Sequence, residues 1–252
     1  MLKTGLGSLL LCLILQTASV EALAENLVVY GDESYAPVIY LEGGKPAGIL
    51  PAIFSLLSKD TGDTYELVLV PWKRAVVESE RQSGGITNIS ANKAREAFYD
   101  FSLPIYDDYI QMVVIKGKEF AYSGLWSLKP KLVGVTSGAS YGEDIDKAIA
   151  DGLINVDRDP GQVNRMKKLL LGRIDVALVG NGSVGFEQLI ASDPELKANR
   201  SKFVVLQPPL VRDQLHLAFA KTMNKKAAIA RFDKALTALR KSPEYQKLLE
   251  RM

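Results

Sequence analysis

The chain has 252 residues, of which 31 are Lys or Arg and 29 Asp or Glu, leaving a formal net charge of +2. The charges are mixed and form no basic tract, which argues against nucleic acid as a partner and against polybasic attachment to a membrane. The single cysteine, Cys12, lies within the first 24 residues. Once these are removed, no disulfide, thiolate nucleophile or cysteine-ligated metal is available.

Residues 1–24 read as a secretory signal peptide. Lys3 supplies the positive start, Leu9 to Leu15 the apolar centre and Ala22-Leu23-Ala24 a small-x-small cleavage site. The apolar run falls short of the ~20 residues of a spanning helix. Leu11, before Cys12, is not the small residue that a lipoprotein signal needs. Cleavage after Ala24 is expected, leaving about 230 residues, enough for one large domain or two small ones, as a soluble protein in the periplasm.

Short β-branched runs at Asn26 to Tyr30, Tyr65 to Val70, Leu132 to Val135, Ile174 to Val179, Phe203 to Leu206 and Leu215 to Ala220 predict strands. Helical patterns cover Gly48 to Lys59, Lys73 to Arg81, Gly142 to Ala150, Gln162 to Leu171, Ser183 to Ala191, Asn224 to Leu239 and Pro243 to Arg251. The alternation predicts an α/β fold with a mainly parallel sheet. Two stretches read as crossings between lobes: the extended run Ile110 to Lys116, and Gln207-Pro208-Pro209. The last strand and helices are too small to fold alone and are expected to return to the first lobe. This gives a discontinuous lobe of residues 25–114 plus 210–252 and a second lobe of 115–209.

The densest polar cluster runs Thr87-Asn88-Ile89-Ser90-Ala91-Asn92-Lys93-Ala94-Arg95, followed by Asp100-Phe101-Ser102-Leu103-Pro104-Ile105-Tyr106. A strand-to-helix junction here offers free backbone N–H groups, and an arginine beside it can grip a carboxylate with two parallel hydrogen bonds. A surface Arg95 paired with Glu96 or Asp100 is the competing reading. Trp72 follows a strand, at the sheet edge where α/β proteins place ligands. Thr136, Ser137 and Ser140 sit in the loop after another strand, where hydroxyls can donate to an anion or simply cap a helix. His216 is the only histidine and stands in a strand pattern, so a histidine-based triad and a histidine metal site are not expected. The glycines form no nucleotide-binding turn, and no cofactor is implied.

Arg95 followed by Asp100-Phe101-Ser102 and Pro104-x-Tyr106 resembles the signature of family 3 periplasmic solute-binding proteins, which serve polar amino acid ABC importers. The likeness extends through Gly31-Asp32-x-x-Tyr35-Ala36-Pro37, Gly43-Gly44-Lys45-Pro46-Ala47-Gly48, Val133-Gly134-Val135-x-x-Gly138 and Leu171-Gly172-Arg173-Ile174-Asp175-Val176-Ala177. It implies a type II periplasmic binding protein fold: two α/β lobes joined by two hinge strands, with a ligand cleft between them. By that resemblance Arg95 holds a ligand carboxylate with help from Ser90 and Asn88. Tyr35 lines the first lobe, and Asp32 stands where binders of basic amino acids face the ligand side chain. Core packing for Tyr35 and Trp72, and a turn role for Asp32, are the structural readings of the same residues.

The chain also departs from the family pattern. Gly180 or Asn181 occupies the place of the acid that receives an α-ammonium, Asn92 replaces a threonine, and Gly84-Gly85-Ile86 lacks an aspartate. Either the ligand lacks that amine, or Asp159, Asp213 or Asp32 supplies the acid, or Asn181 accepts a neutral bond. The expected function is capture of a small carboxylate-bearing metabolite for an ABC permease of the inner membrane, by a monomer that closes through its hinge. A sensor partnered with a membrane receptor is one alternative. A cyclohexadienyl dehydratase-like enzyme is another, opposed by the missing acid at Gly180.

Overall fold

The computed structural model describes residues 24–249. The expected leader, apart from Ala24, lies outside them, as does Cys12. The β-branched runs form the strands Asn26–Asp32, Thr64–Val70, Leu132–Thr136, Val176–Val179 and Phe203–Val205. Asn26–Asp32 pairs in parallel with Thr64–Val70 and with Gly85–Ser90, and Leu132–Thr136 pairs in parallel with Asn155–Asp159 and Val176–Val179. Strands linked by helices in this way give the expected α/β layering. The sheet is mixed rather than mainly parallel: four of its pairings are parallel and five antiparallel, because Tyr106–Ile115 and Val211–Ala220 pair antiparallel with every neighbour. Asn155–Asp159 is a polar edge strand that propensity does not reveal.

Two ten-residue strands, Tyr106–Ile115 and Val211–Ala220, join the halves. They pair antiparallel with each other between Tyr106–Ile110 and Val211–Leu215. Val211–Ala220 then continues against Gly85–Ser90, while Tyr106–Ile115 continues against Val176–Val179 and Phe203–Val205. One curled sheet thus passes through both lobes, and its middle is the floor of the cleft between them.

Each lobe has its own core. In the first, helix Ile49–Thr61 turns Ile49, Leu50, Ile53, Phe54 and Leu57 inward at helical spacing and ends at Gly62, whose left-handed φ of 74° a glycine adopts without strain. The returning helix Lys226–Leu239 packs Ala228, Ile229, Phe232 and Leu236 into the same core, with the Phe54 and Phe232 rings 5.4 Å apart. In the second lobe Met112, Val133, Ile145 and Val176 fill one face of the sheet, and Met166, Leu169 and Phe186 the other.

The strand Gly85–Ser90 is buried at all six positions. Its register against Val211–Ala220 pairs Ile89 with His216 and Thr87 with Leu217, so Asn88 has no partner. Asn88 is the extra residue of a β-bulge, with a positive φ of 62° that asparagine tolerates better than most side chains.

Candidate functional site

The bulge and the ends of the parallel strands converge on a cavity of about 470 Å³, measured with its solvent-open part. Asp32, Tyr35, Trp72, Asn88 and Ser90 line it from the first lobe, and Thr136, Ser140, Tyr141, Gln162, Arg165 and Gly180 from the second. Asp213 enters from the crossing strand Val211–Ala220. Seven of the ten residues singled out in the sequence are therefore gathered in one wall: Asp32, Tyr35, Trp72, Asn88, Ser90, Thr136 and Ser140.

Arg95, Ser137 and Asn181 are not among the lining residues. Arg95 donates from Nη1 to the Ser90 carbonyl at 2.9 Å and from Nη2 to the Gly138 carbonyl at 3.2 Å, so its guanidinium ties the first lobe to the second. It does so from helix Lys93–Phe98, whose start is capped by Asn92 accepting from Arg95 N at 2.9 Å. Ser137 donates its backbone N–H to Asp159 O at 2.8 Å. Asn181 crosses the cleft by donating Nδ2 to Ala36 O at 2.9 Å. Asn92 Nδ2 donates to Ser140 Oγ at 3.1 Å and Lys93 pairs with Glu143 at 3.1 Å, so the lobes touch at these points as well.

Inside the rim, carboxylates dominate. Asp32 is 4% exposed, and its Oδ1 accepts from Ser34 N at 2.9 Å and Ser34 Oγ at 3.0 Å. Burial pushes its carboxyl up to about 6. Asp213 accepts from Ser90 Oγ at 2.5 Å through Oδ2, and burial, reinforced by nearby Asp108, pushes it up to about 7. Asp108 lies opposite Asp213 in the crossing-strand register and is 1% exposed. Its oxygens accept from Tyr35 Oη and, at 2.6 Å, from Asn181 N, while burial raises its carboxyl above the ordinary range.

The lining holds one cationic side chain, Arg165, and it is fully committed. At 1% exposure it pairs with Asp159 at 2.9 Å and donates to Leu178 O and Thr136 Oγ1. Burial raises the Asp159 carboxyl while Arg165 opposes that rise. Asp159, weighed above as a free acid, is thus a structural counter-ion. Trp72 Nε1 and Asn88 Oδ1 are buried without a hydrogen-bond partner, in residues only 5% and 8% exposed. Tyr65 Oη, Thr87 Oγ1, Gln111 Oε1 and Asn181 Oδ1 are buried unpaired in the same way, so the feature is not confined to the cavity.

Arg165, Gln162, Tyr141 and Asp108 escaped the sequence reading. The signal for the first two was present: Gln162, Arg165, Met166 and Leu169 share one buried helical stripe, and a charged residue on such a stripe must be paired. Asp108 falls on the inward phase of the alternation that buries Ile110. His216 donates Nδ1 to Ser102 O at 2.7 Å and stacks edge-on to Phe101, a buried packing role outside the cavity.

A profile of bacterial extracellular solute-binding proteins, family 3, matches residues 27–252. The chain is 26% identical over 223 residues to the "Probable amino-acid-binding protein YxeM" of Bacillus subtilis (strain 168), covering 87% of this chain and 80% of that protein. Its fold is similar to a histidine kinase sensor domain that resembles periplasmic binding proteins, with a TM-score of 0.75, 21% identity, and 90% and 95% of the two chains covered. It is likewise similar to the substrate-binding protein of an amino acid ABC transporter, with a TM-score of 0.69, 20% identity, and 90% and 98% covered.

Proposed function

The chain belongs to family 3 of the bacterial extracellular solute-binding proteins, and from that membership we propose that it captures a small ammonium-bearing metabolite, an amino acid or a close relative, in the periplasm and hands it to an ABC permease. The observation that carries the ligand class is the charge of the cavity. Asp32 and Asp213 face it, while the lining's one cation, Arg165, is spent on Asp159. Ionising these two carboxyls without a counter-charge is costly, and a cationic ligand offsets that cost.

A ligand carboxylate belongs to this reading through Arg95, which would exchange its bond to Gly138 O for the carboxylate while keeping Ser90 O. Asp32, Tyr35 and Trp72 surround the rest of the ligand. We place the lobe limits close to residues 25–114 plus 210–252 and 115–209. The first crossing is moved a few residues earlier, because Ile110, Met112 and Val114 pack in the second core. Closure about the two crossing strands is the population shift that ligand binding drives.

The test is mass spectrometry of what unfolded, washed and refolded protein captures from a bacterial small-molecule extract. Retention of an amine-bearing compound, released with its mass unchanged, supports a carrier. Release of a dehydrated or decarboxylated product would favour the enzyme reading, and retention only of amine-free acids would overturn the ligand class.

A further inference from the structure

The cavity explains where the acid absent at Gly180 has gone. A Cβ built at Gly180 would lie 1.7 Å from Tyr35 Oη, 2.5 Å from Tyr35 Cζ and 3.0 Å from Asp108 Oδ2. No side chain fits there, let alone a carboxylate, because the tyrosine hydroxyl already fills the space and donates to Asp108. The volume and the negative charge are both still present, but they come from the first lobe and from the crossing strand.

Resting on the function proposed above, we infer that Asp213, backed by Asp108 on the facing strand, is the acceptor for the ligand ammonium. Two of the other acids are accounted for. Asp159 is neutralised by Arg165, and both oxygens of Asp108 already receive protein donors. Asp32 accepts both Ser34 bonds on Oδ1, so its Oδ2 is also free of protein donors among the described residues, but it stands at the Tyr35 end of the cleft and not on the strand facing Asp108. Asp213 receives only Ser90 Oγ, on Oδ2, which leaves Oδ1 without a protein partner among the described residues.

The crossing-strand register sets Asp213 opposite Asp108, whose Oδ2 would lie 3.0 Å from a Cβ at Gly180, so Asp213 belongs to the neighbourhood of the absent acid. An ammonium brings three N–H donors and no acceptor. The Asp213 carboxylate can accept from such a group and would repel an anion. Placing the charge on the strand that joins the lobes also makes ligand binding a contact with the hinge itself.

The experiment is isothermal titration of the full mature chain and of Asp213→Asn with the twenty standard amino acids, their decarboxylated amines and their deaminated acids. We expect wild type to bind at least one amine-bearing compound and Asp213→Asn to bind it at least 100-fold more weakly. The ligand-free Asp213→Asn protein should melt no lower than wild type at pH 8, since it loses a buried charge; this separates lost recognition from lost folding. For a compound with a single amine, Asp32→Asn should cost less affinity than Asp213→Asn; an equal or larger loss would assign the ammonium to Asp32 and overturn this inference. Near-normal affinity of Asp213→Asn for an amine that wild type binds overturns this inference and leaves the proposed function standing. Binding by wild type of deaminated acids alone overturns both.

Discussion

The hydroxyl of Tyr35 and the missing side chain of Gly180 occupy one position, 1.7 Å apart were a Cβ present. They are a matched pair drawn from opposite lobes. Gly180→Ala should therefore push the lobes apart, lowering stability by about 1–3 kcal/mol as overpacking does. Urea denaturation measures the cost. Adding Tyr35→Phe should relieve only part of it, because Cζ would remain 2.5 Å from the new carbon.

Arg95 bonds carbonyls of both lobes and lies beside the cavity wall. Arg95→Ala should weaken binding of an amino acid by tenfold or more. Comparison with the decarboxylated amine separates two roles. A loss confined to the amino acid identifies Arg95 as the carboxylate partner; an equal loss for both identifies it as a latch between lobes. Unchanged affinity for both would remove Arg95 from recognition.

The pH dependence follows from Asp213 at about 7 and Asp32 at about 6, both lifted by burial from an ordinary 3.8. Asp108 and Asp146 face Asp213 and raise it further, while Ser90 and Arg95 hold it down. Folded values above unfolded ones mean stability that is fully present below about pH 4 and is lost as pH rises through 6 and 7. At about 1.4 kcal/mol per pH unit for each group, the ligand-free protein should lose roughly 2–4 kcal/mol between pH 5 and 8. Affinity for an ammonium ligand should run the other way, falling toward tenfold per pH unit below 7 as a proton competes for Asp213. Melting curves and titrations at pH 5, 6, 7 and 8 check both trends. An affinity indifferent to pH would contradict the assignment of the cation to Asp213.

Arg165 and Asp159 form a buried ion pair, each 1% exposed at the side chain. Arg165→Met leaves Asp159 uncompensated and removes the donors to Thr136 and Leu178, so a loss of about 3–5 kcal/mol is expected in urea unfolding. The double variant with Asp159→Leu should recover most of it, which would mark the pair as structural.

The strands with β-branched alternation and the amphipathic helices were legible because their patterns report burial directly. Gly85–Ser90 was implied only by its junction with a helix, since a sequence of Gly, Thr, Asn and Ser becomes a central strand through its neighbours on both sides. In the site, Asp32 and Tyr35 follow from the family resemblance, Asn88 and Ser90 from the polar cluster and the resemblance together, and Trp72, Thr136 and Ser140 from their place after predicted strands; their shared cavity is a matter of tertiary geometry. Asp213 was weighed as one of three acids; what separates it from Asp159 is a partner, Arg165, that sequence distance does not disclose. Asp108 was missed because its meaning depends on Tyr35, 73 residues away.

The proposed preference of the cleft for a cation is checked by a thermal-shift screen of residues 25–252 at pH 8. The screen compares amino acids, their decarboxylated amines and their deaminated acids, each at high concentration. A ligand at 100 times its Kd stabilises the folded state by about 2.7 kcal/mol, which a melting curve resolves. The shift should follow the amine, appearing with amino acids or amines and absent with deaminated acids. A shift with deaminated acids and none with any amine would contradict it.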